Sequence, residues 1–457
     1  MPSLRTSNGL SGMSDLPKVM SPPGCAAILA RRSYFAVQTV RCGVNPGQIQ
    51  EAAKLLDGTG DAIKNHLNRR IAKIHQPSSS DPLGWLDRQP PMDRGSISDP
   101  TTTWPWYRRF RRLEMKKTSG STGQPIRICK DIQMAAQIDA TMWALYGWHG
   151  VHPGLRHAKF WGLPQGRVER SARKVFDAIL QRRRFNAFDL TDERVASFFD
   201  ELLAFQPRYV HGYPSLVDEF ARVAADRALD GRDLGVQVVF LTGEMLSERV
   251  RDRVSNFFDA RVVNEYGCSE SGLLAFDCEM GGCHLIPSAA FLEVLNSQCH
   301  RISDHGTGEG VVTDLYGSHL PLLRYRLGDR IRVRGSGSCP CGRSLPLVDV
   351  SAGRTSSFIR LPDSRRVYAA AIAYAMPPEV DRFQARQTSL SQLALQIQVK
   401  PGQPPVEIRE VCRRNLQDTL DRQLNIAVTV VDRVPQGPGG KLRYFIPLSE
   451  SVRDDSA

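Results

Sequence analysis

The 457-residue sequence has no apolar run approaching the roughly 18 residues that a membrane-spanning helix needs, so no helical span is expected. It has no Gly-Lys-Ser/Thr after its glycine-rich turn, which excludes a Walker-type phosphate loop. Its ten cysteines are scattered, with no apolar signal-peptide core ahead of them, so a disulfide framework is not expected and a reduced, cytoplasmic setting is. Acid is scarce at the start: the first fifty residues hold only Asp15 against Arg5, Lys18, Arg31, Arg32 and Arg41. Residues 1–20, rich in Ser, Pro and Gly, read as an unstructured tail.

What is present is the composition of a water-soluble globular chain, 41% hydrophobic and 24% charged. Lys and Arg outnumber Asp and Glu by 60 to 48, a net +12. The surplus is spread out apart from Arg182–Arg184 and a stretch from Arg108 to Lys117. No nucleic-acid motif accompanies it, so no nucleic-acid partner is expected, whereas an anionic small molecule would benefit from it. The length exceeds what one core usually serves, and two folded units are expected.

Met134, Ile138, Met142 and Leu145 recur at helical spacing, predicting a helix over 131–148 that buries one face. Val236–Leu241 and Val262-Val263 read as buried strands, with a helix over about 247–257 between them, an α/β pattern that gathers ligands at strand ends. Val311-Val312, Leu322-Leu323 and Ile331–Val333 read as consecutive short strands. Further strands over 393–399 and 426–431 flank a helix over 408–420, enough for a small α+β unit.

The strongest chemical signal is Thr118-Ser119-Gly120-Ser121-Thr122-Gly123, followed by Gln124-Pro125. Its glycines allow close backbone approach and its hydroxyls suit phosphate oxygens. Later come Gly243-Glu244 after a strand, Asn264-Glu265-Tyr266-Gly267-Cys268-Ser269-Glu270, Tyr325–Arg330 containing Asp329, Gly353-Arg354, and Gly439-Gly440-Lys441. Taken in this order, the segments resemble the signatures of the adenylate-forming superfamily. Gly212–Ser215 and Cys339–Arg343 are most similar to its phenylacetate-CoA ligase and coenzyme F390 synthetase (CapK-like) branch.

The resemblance implies an α/β fold: a large multi-sheet N-terminal AMP-binding domain over 21–352 and a small, mobile α+β C-terminal lid over 353–457. It implies binding of ATP and Mg2+, activation of a small carboxylate as acyl-AMP, and transfer to CoA, an amine or a carrier-protein thiol. The hydroxyl-rich turn would hold phosphates, and Gly243, Glu244, Asn264, Glu265, Tyr266 and Gly267 would line the adenine side. Asp329 would accept the ribose hydroxyls, Arg354 would open the interdomain hinge, Glu270 would ligate Mg2+, and Lys441 would stabilise charge at the α-phosphate. Ser356 departs from the family, which has Asp or Lys at this pivot, so the first half-reaction is better supported than the second. Nucleotidyl transfer, amide formation and non-catalytic nucleotide binding stay open as alternatives.

Cys278, Cys283, His284, Cys339 and Cys341 form a second constellation whose thiols and imidazole could close a tetrahedral zinc site. Cys278, His284, Cys339 and Cys341 fit a structural zinc pattern of the same branch. Trp161, His211 and Tyr213 are placed by the resemblance near the carboxylate pocket, where the alternative is ordinary aromatic core.

Overall fold

The computed structural model describes residues 44–93, 114–117, 127–161, 176–186, 191–244, 246, 248–317, 321–335, 339–350, 358–363, 365–377, 379–400, 402–432, 434 and 445–448. Its first elements are the helices α1 (Pro46–Leu56), α2 (Gly60–His75) and α3 (Pro82–Asp87). Each starts on a polar cap: Asn45 exchanges hydrogen bonds with Gln48, Thr59 accepts from Ala62 N, and Asp81 accepts from Gly84 N. Strands β1 (Glu114–Lys117) and β2 (Arg127–Lys130) pair antiparallel, with Lys117 opposite Arg127. The hydroxyl-rich segment therefore joins two paired strands.

Helix α4 (Ile132–Gly147) follows, capped by Asp131, which accepts from Met134 N. The expectation of a single buried face is corrected here. Ala135, Ala136, Ala140, Thr141, Trp143, Ala144 and Tyr146 are buried along with Met134 and Leu145, so the helix is enclosed around most of its circumference. Small alanines let neighbouring elements close in, and Thr141 satisfies its hydroxyl on the Gln137 carbonyl and on Ser288 Oγ.

The largest sheet holds β3 (His157–Trp161), β4 (Arg182–Asn186), β5 (Tyr209–Gly212), β6 (Val238–Thr242), β7 (Arg261–Cys268), β8 (Gly272–Asp277) and β9 (Cys283–Leu285) in the order β4-β3-β5-β6-β7-β8-β9. Strands β3 to β7 pair in parallel and β8 and β9 are antiparallel. On one face Ala158, Phe160, Val210, Val239 and Leu241 share a cluster with residues of α5 (Asp192–Phe205), α6 (Pro214–Asp226) and α7 (Glu248–Phe258). On the other, Tyr209, Phe240, Val263 and Phe276 pack against α4 and the N-terminal helices, where the Tyr146 and Phe240 rings stack at 3.9 Å. Because both faces are covered, the central strands read as near-continuous apolar runs.

A second, antiparallel sheet runs β10 (Ala290–Leu295), β11 (His305–Asp314), β12 (Tyr325–Arg334) and β13 (Val348–Asp349). The strands expected at 311–312 and 331–333 are parts of the ten-residue β11 and β12. Leu322-Leu323 is not a strand: Leu322 N donates to Asp314 Oδ2, so this pair of leucines sits in the connection. Beyond a small hairpin of β14 (Phe358–Arg360) and β15 (Arg366–Tyr368) comes the helix α8 (Ala370–Ala375). A third sheet has β18 (Asn425–Val430), β17 (Gln392–Val399), β16 (Val380–Ser389) and β19 (Phe445–Ile446) in that order, crossed by α9 (Pro405–Thr419). Its elements agree with those expected for the tail. No helix among the described residues is long and apolar enough to cross a membrane.

Candidate active site at the strand ends

The carboxyl ends of β5, β6 and β7 lie side by side, with Gly212 opposite Leu241 and Thr242 opposite Glu265. In open α/β sheets this edge is where ligands gather. Gly243 follows β6 with φ +79°, and a Cβ there would lie 2.8 Å from Tyr213 Cε1. Glycine is thus required both for the left-handed turn and for the Tyr213 ring to reach the backbone. Glu244 is half-buried in the same turn.

Strand β7 carries the next residues. Asn264 N donates to Asp277 Oδ2, fixing the strand against β8, and Thr242 Oγ1 donates to the Glu265 carbonyl. Glu265 is buried, and its Oε2 lies 3.3 Å from His211 Nε2. A carboxylate oxygen accepts, so Nε2 donates. Burial holds His211 below its ordinary pKa against the pull of Glu265, which makes the contact a hydrogen bond of a neutral imidazole at neutral pH. A register shift between Tyr266 and Gly267 bends the strand, and Gly267 leaves no room for a Cβ, which would meet the Gly272 carbonyl oxygen at 2.3 Å.

The bend presents Tyr266 to the second sheet, where its hydroxyl donates to Asp329 Oδ2 at 3.0 Å. Two residues predicted to hold adenine and ribose are therefore brought together from strands 63 positions apart. Glu270 is half-buried beyond β7 and makes no ion pair among the described residues, so its oxygens are open to a hard cation. The expected residues Thr118, Ser119, Gly120, Ser121, Thr122, Gly123, Arg354 and Lys441 lie outside the described residues.

Trp161, His211 and Tyr213 do converge beside this edge. The Trp161 ring lies 4.2 Å from that of Tyr213 and 5.6 Å from that of His211. Sequence reasoning missed their neighbour Lys159, whose Nζ stands 4.3 Å from the centre of the Trp161 ring. The alternation His157-Ala158-Lys159-Phe160-Trp161 was its signal, since it puts lysine on the face opposite the two buried apolar residues. Asp277, which holds both Asn264 N and Arg251 Nη2 (2.9 Å), was also missed.

The cysteine constellation closes around four residues. The ligand atoms of Cys278, His284, Cys339 and Cys341 all lie within 4.8 Å of one another. The Cys278 and Cys339 sulfurs are 3.6 Å apart, and Cys341 Sγ is 3.3 Å from His284 Nε2. Tetrahedral zinc with ordinary Zn–S and Zn–N bonds requires edges of about 3.5–3.8 Å, so the cluster has the right size. His284 Nδ1 lies 3.0 Å from the Leu345 carbonyl, to which it donates, leaving the Nε2 lone pair toward the thiols. Cys283 is turned away and pairs with Asp277 instead.

No protein-family model matches the chain. Protein CapK of Staphylococcus aureus is 22% identical over 346 residues, 74% of this chain and 75% of that protein. The phenylacetate-coenzyme A ligase of Thermus thermophilus is 25% identical over 272 residues, 53% of this chain and 61% of that protein. Among solved structures, 2-hydroxyisobutyryl-CoA ligase in complex with 2-HIB-AMP and CoA superposes with a TM-score of 0.54 at 17% identity, covering 95% of both chains. The same ligase in its postadenylation state gives 0.52, covering 87% of this chain and 92% of that one.

The fold is similar to that of this ligase along nearly the whole chain. By sequence, the chain is similar to protein CapK and to phenylacetate-coenzyme A ligase.

Proposed function

We propose that the protein uses ATP to activate a small carboxylic acid as its acyl-adenylate and then passes the acyl group to the thiol of CoA or to another acceptor. The observation that carries this reading is the Tyr266–Asp329 hydrogen bond, which sets an aromatic face and a ribose-binding carboxylate side by side at the strand ends. In the first step a carboxylate oxygen attacks the α-phosphorus and pyrophosphate leaves. In the second, the acceptor attacks the acyl carbonyl, loses its proton, and AMP leaves.

Asp329 accepts from the ribose hydroxyls, Tyr266 and the Gly243-Glu244 turn flank the base, and Thr118–Gly123 hold the phosphates. Lys441 offsets charge that develops between carboxylate and α-phosphate. Glu270 supplies an oxygen ligand for Mg2+, which when bound screens the triphosphate. We place the domain boundary at 352/353, with Arg354 at the hinge and Lys441 on the C-terminal unit. Cys278, His284, Cys339 and Cys341 hold a structural zinc, since four protein ligands leave no open position for chemistry.

The test is pyrophosphate release with ATP, Mg2+ and a panel of aromatic, fatty and amino acids, with Lys441→Ala beside the wild type. Acid-dependent release lost in the variant supports the reading. Silence across the panel, or a product in which AMP stays covalently attached, overturns it.

A further inference from the structure

Lys159 lies at the end of a run of side chains that begins at the Gly243 turn. A run of contacts leads to it from the nucleotide side: Gly243 against the Tyr213 ring, Tyr213 on Trp161, and Trp161 under the Lys159 ammonium. His211, opposite Lys159 in the β3–β5 register, closes the other side. All four side chains are only half-buried, whereas Ala158, Phe160, Val210 and Gly212 between them are buried. Among the described residues, the polar face of β3 and β5 is therefore left partly exposed.

The charge on this face does not balance. Arg184 stands opposite Lys159 in the β3–β4 register, and Arg182 stands two residues before it. Both arginines share one carboxylate, Asp177, at 2.6 and 3.0 Å. The other acid, Glu265, accepts from the neutral His211, so two carboxylates face the three cations Lys159, Arg182 and Arg184. Lys159 makes no hydrogen bond or ion pair among the described residues and rests on the Trp161 face. Burial, reinforced by Arg182 and Arg184, pushes its ammonium down to about 7. A cation held against two like charges, with its solvent partly removed, costs free energy that a ligand's negative charge would offset.

We propose that Lys159 is the counter-ion for a second anionic group of the substrate, so that the acid activated here carries a further carboxylate, sulfonate or phosphate alongside the one that reacts. This rests on the acyl-adenylate reading and names its substrate class. The aromatic wall of Trp161 and Tyr213 suits a flat, unsaturated body between the two anionic ends.

The experiment compares matched acids, benzoate with isophthalate and hexanoate with adipate, in pyrophosphate release by the full-length wild type and Lys159→Met. The expected result is a wild-type preference for the dianion in kcat/KM of roughly 30-fold, the size of one desolvated charge pair, which disappears in the variant while the monoacid rate is retained. Lys159→Arg should keep the preference, and Lys159→Gln serves if the methionine variant does not fold. A wild-type preference for monoacids, or the same dianion preference in Lys159→Met, overturns the inference and leaves the acyl-adenylate reading standing. Silence from every acid overturns that reading, and calorimetric titration of isophthalate then decides the inference: a Kd that Lys159→Met does not change overturns it.

Discussion

Tyr266→Phe and Asp329→Ala, made singly and together, test the nucleotide site most directly. Asp329 is half-buried and accepts a hydrogen bond from Tyr266, and in the proposed complex it accepts from the two ribose hydroxyls as well. Hydrogen bonds to a charged group are worth about 1.5–3 kcal/mol each. Losing two of them on Asp329→Ala should lower kcat/KM for ATP by about 3–5 kcal/mol, or roughly 10²- to 10⁴-fold. Tyr266→Phe removes a single hydroxyl that aims the carboxylate and should cost about 1 kcal/mol, roughly fivefold.

Because the Tyr266 hydroxyl acts through Asp329, the double variant should be scarcely worse than Asp329→Ala, giving a coupling of about 1 kcal/mol. The assay is pyrophosphate release at varied ATP, with thermal unfolding as a control that each variant is folded. Strict additivity would show that Tyr266 acts independently of Asp329. An Asp329→Ala enzyme within about threefold of wild type would refute the assignment of ribose to this carboxylate.

Lys441→Ala should slow acyl-adenylate formation by about 3–5 kcal/mol while leaving ATP binding within severalfold, read by pre-steady-state pyrophosphate release and calorimetry. Purified protein should carry about one zinc per chain by elemental analysis, and Cys341→Ser should reduce both zinc content and thermal stability. Arg324→Leu strands the buried Glu293, 3.2 Å away, and the carbonyls of Asp87, Gln89 and Cys299, and should cost about 3–5 kcal/mol in denaturant unfolding. Lys159→Met should raise stability at pH 6–7, where the wild type carries a half-buried cation facing Arg182 and Arg184, with Glu265 and Asp177 as the nearby acids. The folded pKa is depressed, so wild-type stability rises with pH from about 7 toward the unfolded value, and the variant's advantage should fade by about pH 10 in equilibrium unfolding.

The strands and helices around the site were legible because their apolar runs are covered on both faces: β6, β7 and α7 fall within a few residues of the expected ranges. Helix α4 misled, because alanines were not counted as core, although they are what lets the helix be enclosed. The N-terminal helices carried readable signals, an Asn45/Gln48 capping box and Thr59 before the amphipathic α2, yet the motif-led reading began later in the chain. They matter to the site's frame: Arg70 Nε donates to the Leu315 carbonyl and His75 Nε2 lies 2.9 Å from that of Asp314, seating the end of β11. In the cysteine cluster, spacing offered five candidates and the resemblance singled out four, and the fold shows Cys283 paired with Asp277. Lys159 escaped because a lone lysine in an alternating strand reads as solvated, and its register opposite Arg184 is a property of the sheet.

The position of the proposed nucleotide site follows from how the seven-stranded sheet meets the β10–β13 sheet. Strand β7 is the last parallel strand, and its bend at Tyr266-Gly267 is where pairing changes to the antiparallel β8. The residues just past the bend share an apolar cluster with β12: Tyr266, Cys268 and Leu274 pack with Tyr325, Leu327 and Ile331. β12 is itself anchored at its start, where Met92 N donates to the Arg324 carbonyl and Arg326 N donates to that of Met92. Arg324 there is buried with φ +46°, a left-handed conformation that a non-glycine residue adopts only when its surroundings demand it, and here the guanidinium meets Glu293 and three carbonyls. The Tyr266–Asp329 pair thus stands on a packed seam with both strands fixed from below. On the proposed reading, such a seam would hold the adenosine in one geometry, the fixed placement that an in-line attack on the α-phosphorus needs.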